Sequence, residues 1–415
     1  MKGRDEDDPG HENGNMSMKR LLWNARRRLT QAWFWVAHAG FPFHWPAIGA
    51  SADMSRRRRF GRRMLLRRWP LLLRPFAAVA MTCLWPIGAW IEAIQATKKS
   101  PRETSTGRLW RTAIRHNLPV REVLFYGADR PESPCADAWI CQFETVRTLP
   151  SLNAKEAIQL AWDKSEFSRF CLSNGLPAIM TLAEWRDGTR SGIAAQNWPD
   201  HVVLKPVFSS KGAGVEPWRR EGDGFRSGQL GLSEHAFEAH AASLSAYLGP
   251  VLVQPRLVPH SRFVEAGMSG MPIARLVTGC WPDGSAELLE AFWVAPAAGQ
   301  FASNSGGEHV WLIDQDAGTI TQTPTDFYAP WTGPDVSGLA LPDWDDAVSA
   351  TLGAHRAFPS PCVAIGWDVG FTTQGPVLIE ANTGISSTLD QTLRQRPSGP
   401  ERMGQLIDAW LRKLE

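Results

Sequence analysis

The sequence predicts an α+β fold, on three observations. Apolar, β-branched runs pair across short polar turns, as at 273–279 and 286–294 around Pro282-Asp283-Gly284. Amphipathic helical stretches lie among them, at 162–173, 232–248, 343–357 and 402–414. The stretch 364–387 (AIGWDVGFTTQGPVLIEANTGISS) reads as a hairpin whose two strands each hold one carboxylate. At 415 residues the chain is long enough for two or three packed units. With 43% apolar residues, 21% charged and a net charge of +2, it lacks the basic excess of a dedicated nucleic-acid protein.

The first hundred residues differ from the rest. Residues 1–18 read as a disordered tail, acidic and Gly-rich with no apolar core for a signal peptide. Residues 19–100 read as a basic and apolar helical region, membrane-associated by composition. Its arginines crowd together (Arg56 to Arg59, Arg62, Arg63, Arg67, Arg68, Arg74), and no acidic residue lies between Asp53 and Glu92. The uncharged run 75–91 would span roughly 26 Å as a helix, just under a hydrocarbon core of ~30 Å. Pro86 and Gly88 interrupt it. Three readings stay open: a shallow or re-entrant insertion held by arginines at anionic headgroups, a buried helical hairpin, and a membrane span with the arginines cytoplasmic.

The polar stretch 98–107 marks the first domain boundary. A helix starts within 151–159, and 162–173 is a second, with Phe167, Phe170 and Cys171 on one face and Asn174-Gly175 as its stop. Residues 202–207 (VVLKPV) form a strand holding Lys205, and Ser209-Ser210-Lys211-Gly212-Ala213-Gly214 follows as a Gly-rich turn. That turn can offer backbone N–H groups to phosphate, although it is neither a Walker A nor a dinucleotide fingerprint. The plainer alternative is an edge-strand lysine facing solvent. Ser233 caps the helix at 232–248. In the strand 251–257, Pro255 predicts an edge or a connection. Residues 303–309 read as a flexible loop, and 310–320 as strand, turn and strand.

The six cysteines (Cys83, Cys135, Cys141, Cys171, Cys280, Cys362) form no C-x-x-C pair. They read as reduced thiols in a cytosolic compartment. Most of the twenty tryptophans are expected in the core. In the 364–387 hairpin, Glu380 and Asn382 are two apart and share a face. With Asp368 they offer three hard oxygen ligands of the kind Mg²⁺ takes beside nucleotide phosphates, the bland alternative being a hairpin with acidic ends.

Taken in order, DKSEFSRFCLSNGLP (163–177), VVLKPVFSSKGAGV (202–215), VLVQPRLVPH (251–260), ARLVTG (274–279), the SNSGG loop and the hairpin resemble the ATP-grasp superfamily. They look most like the sugar-transfer-associated ATP-grasp family, related to α-L-glutamate ligases. The resemblance covers roughly 108–415. It implies two α+β subdomains clamping ATP within 101–415: an N-terminal part at about 108–200, an ATP lid at 200–260 and a metal-binding subdomain at 261–415. It also implies Lys205 and Lys164 on the phosphates, with Ser209, Ser210, Lys211, Gly212 and Gly214 folding over them. Val253, Gln254 and Leu257 would form the adenine hinge. Asp368, Glu380 and Asn382 would hold Mg²⁺, as two ions. Several ATP-grasp ligases carry an Arg two residues before the metal Asp; here that residue is Gly366, and Arg275 is the expected substitute. His260, Asn304, Gly306 and Gly307 fall on the rim of the site.

The implied reaction is a carboxylate–amine ligation through an acylphosphate, in cell-surface polysaccharide or glycolipid assembly. Catalysis would rest on Lys205 and Arg275 with no protein nucleophile. The expected partners are ATP and small-molecule or lipid- or sugar-linked carboxylate and amine substrates. The expected place is the cytoplasm, with an anionic membrane surface as the peripheral alternative. The rival functions are a phosphotransferase on the same fold and a non-catalytic, nucleotide-responsive membrane scaffold.

Overall fold

Two antiparallel sheets organise the computed structural model of the chain. It describes residues 56–67, 69–100, 103–133, 138–209, 212–268, 270–296, 309–321 and 333–415. The helices are α1 (Arg56–Leu66), α2 (Arg74–Lys99), α3 (Thr106–His116), α4 (Val120–Tyr126), α5 (Gln142–Leu152), α6 (Lys155–Trp162), α7 (Lys164–Ser173), α8 (Glu234–Leu248), α9 (Ser261–Glu265), α10 (Trp344–Ala357), α11 (Thr388–Arg394) and α12 (Arg402–Lys413). The first sheet holds β1 (Ala183–Arg186), β2 (Thr189–Gly192), β3 (His201–Pro206), β4 (Glu216–Glu221), β5 (Gly224–Ser227), β6 (Leu230–Ser233) and β7 (Val251–Pro255), ordered β2-β1-β7-β3-β4-β5-β6. The second holds β8 (Ile273–Cys280), β9 (Ala286–Ala295), β10 (His309–Asp314), β11 (Thr319–Ile320), β12 (Ala364–Thr372) and β13 (Gly375–Asn382), ordered β11-β10-β9-β8-β12-β13.

Alternation along the strands gives each sheet two distinct faces. In the first sheet Val202, Leu204, Val251 and Val253 pack with Phe237 and Ala241 of α8. The residues between them, Lys205, Leu252 and Gln254, therefore point to the other face. In the second sheet Ala274, Leu276, Trp367 and Val369 form a core with Ala157, Phe167, Cys171 and Ala354 from α6, α7 and α10. Trp367 lies 6.2 Å from Phe167 and 5.8 Å from Phe358, ring to ring, so the β12–β13 hairpin is pinned by an aromatic wedge. On the opposite face Val277, Phe292 and Val294 meet Leu393, Met403, Leu406 and Leu411 of α11 and α12.

The hairpin at 364–382, the capped helix α8, the 273–295 strand pair and the strand-turn-strand at β10–β11 stand where the sequence predicts them. Other expectations change. The helix through 162–173 breaks, because Trp162 ends α6 and Asp163 caps α7. Strand β7 is third of seven and β3 fourth, so Pro255 marks the connection that follows β7 and not an edge, and Lys205 lies mid-sheet. Pro255 is tolerated because it is the last residue of β7. Strands β1, β2 and β4 to β6, short and Gly-punctuated, carry too little apolar patterning to be read from sequence.

At the N-terminal end, α2 runs for 26 residues straight through Pro86, and its bend of 44° falls earlier, between Ala80 and Thr82. Trp85, Ala89 and Ala93 pack one face of α2 on Leu109, Ala113 and Val123 of α3 and α4. The other face leaves Phe76, Val79, Ile87, Trp90 and Ile91 exposed along the run. Among the described residues no single helix is long and apolar enough to cross a membrane; the bent pair Leu71–Ala80 and Thr82–Lys98 is so only jointly. The arginine run does not all face outward. Arg57 donates to Asp408 at 2.9 Å, and buried Arg58 to Glu144 at 3.1 Å, which docks α1 on α12 and α5. The tail 1–18, the aromatic stretch after it, Cys135 and the loop 303–308 lie outside the described residues.

Candidate active site

The register of three adjacent strands builds the centre of the site. Asp368 on β12 stands opposite Arg275 on β8 and Glu380 on β13, so the three side chains share one face. The ladder shifts between Asp368 and Val369, a bulge of the kind that re-aims side chains beside functional sites. Arg275 grips Asp368 with two parallel bonds, Nε to Oδ1 at 2.8 Å and Nη2 to Oδ2 at 2.9 Å. Asn382 donates through Nδ2 to Glu380 Oε1 at 3.3 Å, which turns its amide oxygen away from that contact.

Lys164 reaches this row from the first position of α7, with its Nζ 3.7 Å from Glu380 Oε2. The same ammonium donates to the backbone oxygens of Ser209, at 2.6 Å, and Val207, at 3.4 Å. It thus ties the mouth of the Gly-rich loop to the β12–β13 hairpin. Asp163 holds the start of α7, with Oδ1 accepting from Ser165 and Glu166 N–H at 3.0 Å each. Its Oδ2 accepts from Arg186 at 2.7 Å. Arg186 also donates to Glu184 at 2.6 Å, and Glu184 takes the Ser165 hydroxyl at 2.6 Å. Sequence reasoning missed this bracket. The D-x-x-E pattern at 163–166 carried the cap half of it, but nothing local announced Glu184 and Arg186.

Buried charge dominates the electrostatics. Burial and the nearby Lys164 charge lower the Lys205 ammonium to about 8, with Glu380 opposing, which puts all three groups within electrostatic reach. Burial lifts the Asp368 carboxyl to about 6; Arg275 opposes and Glu380 adds to the rise. Burial also works to raise Glu380, but Lys164, the hydrogen bond with Asp368, and Lys205 outweigh it and hold Glu380 below the usual carboxylate range. Two adjacent carboxylates in a dry site are a place where a divalent cation can bind. With the Asn382 amide they form a hard-oxygen set that fits Mg²⁺. Three cations facing two carboxylates leave a net positive face suited to a polyphosphate.

The remaining expected residues divide. Gly212 and Gly214 take left-handed backbone (φ +65° and +75°), and a Cβ on Gly214 would come within 2.9 Å of Pro206 Cγ, so the loop can fold back only with glycine there. Val253 faces the α8 core and its carbonyl accepts from Leu182 N–H, so its side chain and its carbonyl are both engaged within the fold. Gln254 is buried on the Lys205 face; its Nε2 donates to Ile179 O, and its Oε1 lacks a partner. Leu257 lies past β7, beside Gly370 of β12. His260 N–H donates to Phe371 O at 2.9 Å and its ring caps α9, so it links the two sheets. Gly366 stands opposite Val277, and the guanidinium comes instead from Arg275 one strand away. Ser210, Lys211, Asn304, Gly306 and Gly307 lie outside the described residues.

The chain matches several solved enzyme structures weakly. A D-cycloserine synthetase is 14% identical over 64% of this chain and 74% of its own, with a TM-score of 0.37. A D-alanine–D-alanine ligase from Bacillus anthracis is 12% identical over 63% and 69%, at 0.38. A biotin carboxylase from Campylobacter jejuni is 13% identical over 63% and 48%, at 0.36. No curated protein matches in sequence. Residues 145–396, more than half of the chain, match the family described as sugar-transfer associated ATP-grasp. The chain belongs to that family.

Proposed function

We propose that the chain is an ATP- and Mg²⁺-dependent ligase that activates a carboxylate as an acylphosphate and joins it to an amine. The observation that carries this reading is the row Arg275–Asp368–Glu380–Lys164, with the mid-sheet Lys205 within its electrostatic reach. A substrate carboxylate oxygen attacks the γ-phosphorus of ATP and ADP leaves. The amine nitrogen then attacks the acyl carbon, phosphate departs and the nitrogen loses its proton to solvent. Lys205 and Lys164 hold the phosphates, assisted by the amides of the Gly-rich loop. Arg275 supplies positive charge where the phosphoryl group transfers. Asp368, Glu380 and Asn382 would hold Mg²⁺, which neutralises phosphate charge when bound. No side chain needs to become a nucleophile, because positioning and charge carry the reaction.

Substituting Asp368→Asn or Glu380→Gln should cut substrate-dependent phosphate release by about a thousandfold or more. Release near the wild-type rate in either variant would refute the assignment. Free phosphate together with a new amide supports ligation; an accumulating phosphate ester identifies a phosphotransferase instead. We further assign the substrates to cell-surface polysaccharide or glycolipid assembly, on the family description. The exposed apolar face of α2 supports peripheral attachment to an anionic membrane surface near such substrates.

A further inference from the structure

We propose that a second cavity, between β9–β10 and the segment 390–403, binds the ammonium group of a small primary amine. The cavity measures about 470 Å³, and Glu290 forms part of its wall. Glu290 is only 3% exposed, and neither of its carboxylate oxygens has a hydrogen-bond partner among the described residues. A buried carboxyl left in that state costs several kcal/mol, and native folds seldom keep one without a purpose.

Apart from solvent-exposed Asp316, the charges around it are already matched. Arg394 pairs with Asp390 at 2.6 Å, and the other Asp390 oxygen accepts from Ser398 Oγ at 3.0 Å. Arg396 pairs with Glu401 at 3.1 Å, and Arg402 with Glu287 at 2.6 Å. Asp314 Oδ1 accepts from the backbone N–H groups of Asp316 and Ala317. Among the described residues of the lining, Glu290 is left as the buried acceptor without a donor, where five carboxylates stand against three guanidiniums. A matching ligand must bring positive charge and N–H groups. Among the described residues no three His, Cys, Asp or Glu side chains come together as a metal-binding group. An ammonium, with three donors on one small centre, meets the requirement with a single carboxylate.

Burial raises the Glu290 carboxyl well above its usual range; Asp390 adds to this and Arg394 opposes it. Pairing with an ammonium is therefore accompanied by release of the carboxyl proton. Glu290 stands two residues along β9 from Phe292, the register partner of Arg275, so Glu290 lies on the sheet face where Arg275 lies. That the ligand is the amine of the ligation rests on the ligase reading, whereas the binding itself does not.

The test uses the full chain without ATP. Saturation-transfer NMR would compare glucosamine with glucose, ethanolamine with ethylene glycol, and putrescine with 1,4-butanediol. At least one amine should bind tenfold or more tightly than its neutral counterpart, and Glu290→Gln should erase that preference. Equal binding within every pair, or a preference that survives Glu290→Gln, overturns the proposal. Should the variant not fold, titration calorimetry of the wild type with the preferred amine in two buffers of different ionisation enthalpy decides. Proton release is expected, and its absence overturns the proposal. Substrate-dependent phosphate release tests the ligase reading separately, so either idea can fail alone.

Discussion

His355 shows how one buried side chain can set an acid limit on the fold. Its Nε2–H donates to Cys362 O at 2.8 Å, and its Nδ1 accepts from the Thr278 hydroxyl at 2.7 Å. That hydroxyl in turn accepts from Trp367 Nε1 at 2.7 Å. This chain has room for one proton on the ring, so a second would meet the wrong end of Thr278. Burial, the largest cause, lowers His355 to about 4, Arg356 adds to this and the Cys362 carbonyl opposes it. A group whose pKa is depressed by folding adds stability above its unfolded value, near 6.5, and loses it as pH falls through the folded value. Between pH 6.5 and 4 the protein should therefore lose about 3 kcal/mol. Urea unfolding at pH 7 and pH 4.5 measures this, and a wild-type loss no greater than that of His355→Gln would sink it. At this scale the hairpin and the shared face of its two carboxylates were legible, because Asp368, Glu380 and Asn382 sit at fixed short spacing in one hairpin. Glu290, Glu184 and Arg186 were not, since what gives each its meaning arrives from elsewhere in the chain.

Among the elements, α7 is where local chemistry meets the site. Its cap Asp163 fixes the helix start, and Lys164 projects from the very next residue. Asp163→Ala should cost about 1 kcal/mol for the cap and more for the Arg186 contact. It should also raise KM for ATP, because the Lys164 ammonium loses its footing. A thermal scan paired with steady-state kinetics checks both; a lower Tm with unchanged KM would separate the cap from the site. Helix α2 makes the complementary case. Its apolar face reads plainly in the sequence, whereas its passage through Pro86 does not, because packing on α3 and α4 outweighs one lost hydrogen bond. The double change Phe76→Asp and Ile87→Asp alters only exposed positions. It should abolish flotation with anionic liposomes while sparing phosphate release on soluble substrates. Equal flotation would remove the membrane reading.

For the molecule as a whole, the two sheets meet at few places. Residues 256–260 carry the chain from β7 to the second sheet, and His260 fastens there to Phe371. Leu378 N–H bonds Pro177 O, and Lys164 spans from the loop after β3 to Glu380. A nucleotide binding across both sheets should couple them. MgATP at a hundred times its Kd is expected to stabilise the fold by about 2.7 kcal/mol. Scanning calorimetry with and without chelator measures this; an identical Tm in both would show that ATP does not bridge the sheets. The order of the motifs made the two-subdomain plan legible. The neighbour of each strand was not, because pairing across 50 to 100 residues leaves no local trace.

The inward arginines of α1 carry a practical consequence. Arg58 is the cation that matches Glu144 in the interior, and Arg57 does the same for Asp408 on the last helix. A shortened chain that starts near residue 100 would strand an acid in a dry core, at a cost of about 3–5 kcal/mol for the Glu144 pair alone. Expression boundaries chosen from the family match alone would meet that penalty as poor yield or aggregation, and an N-terminal trim is safer upstream of Arg56.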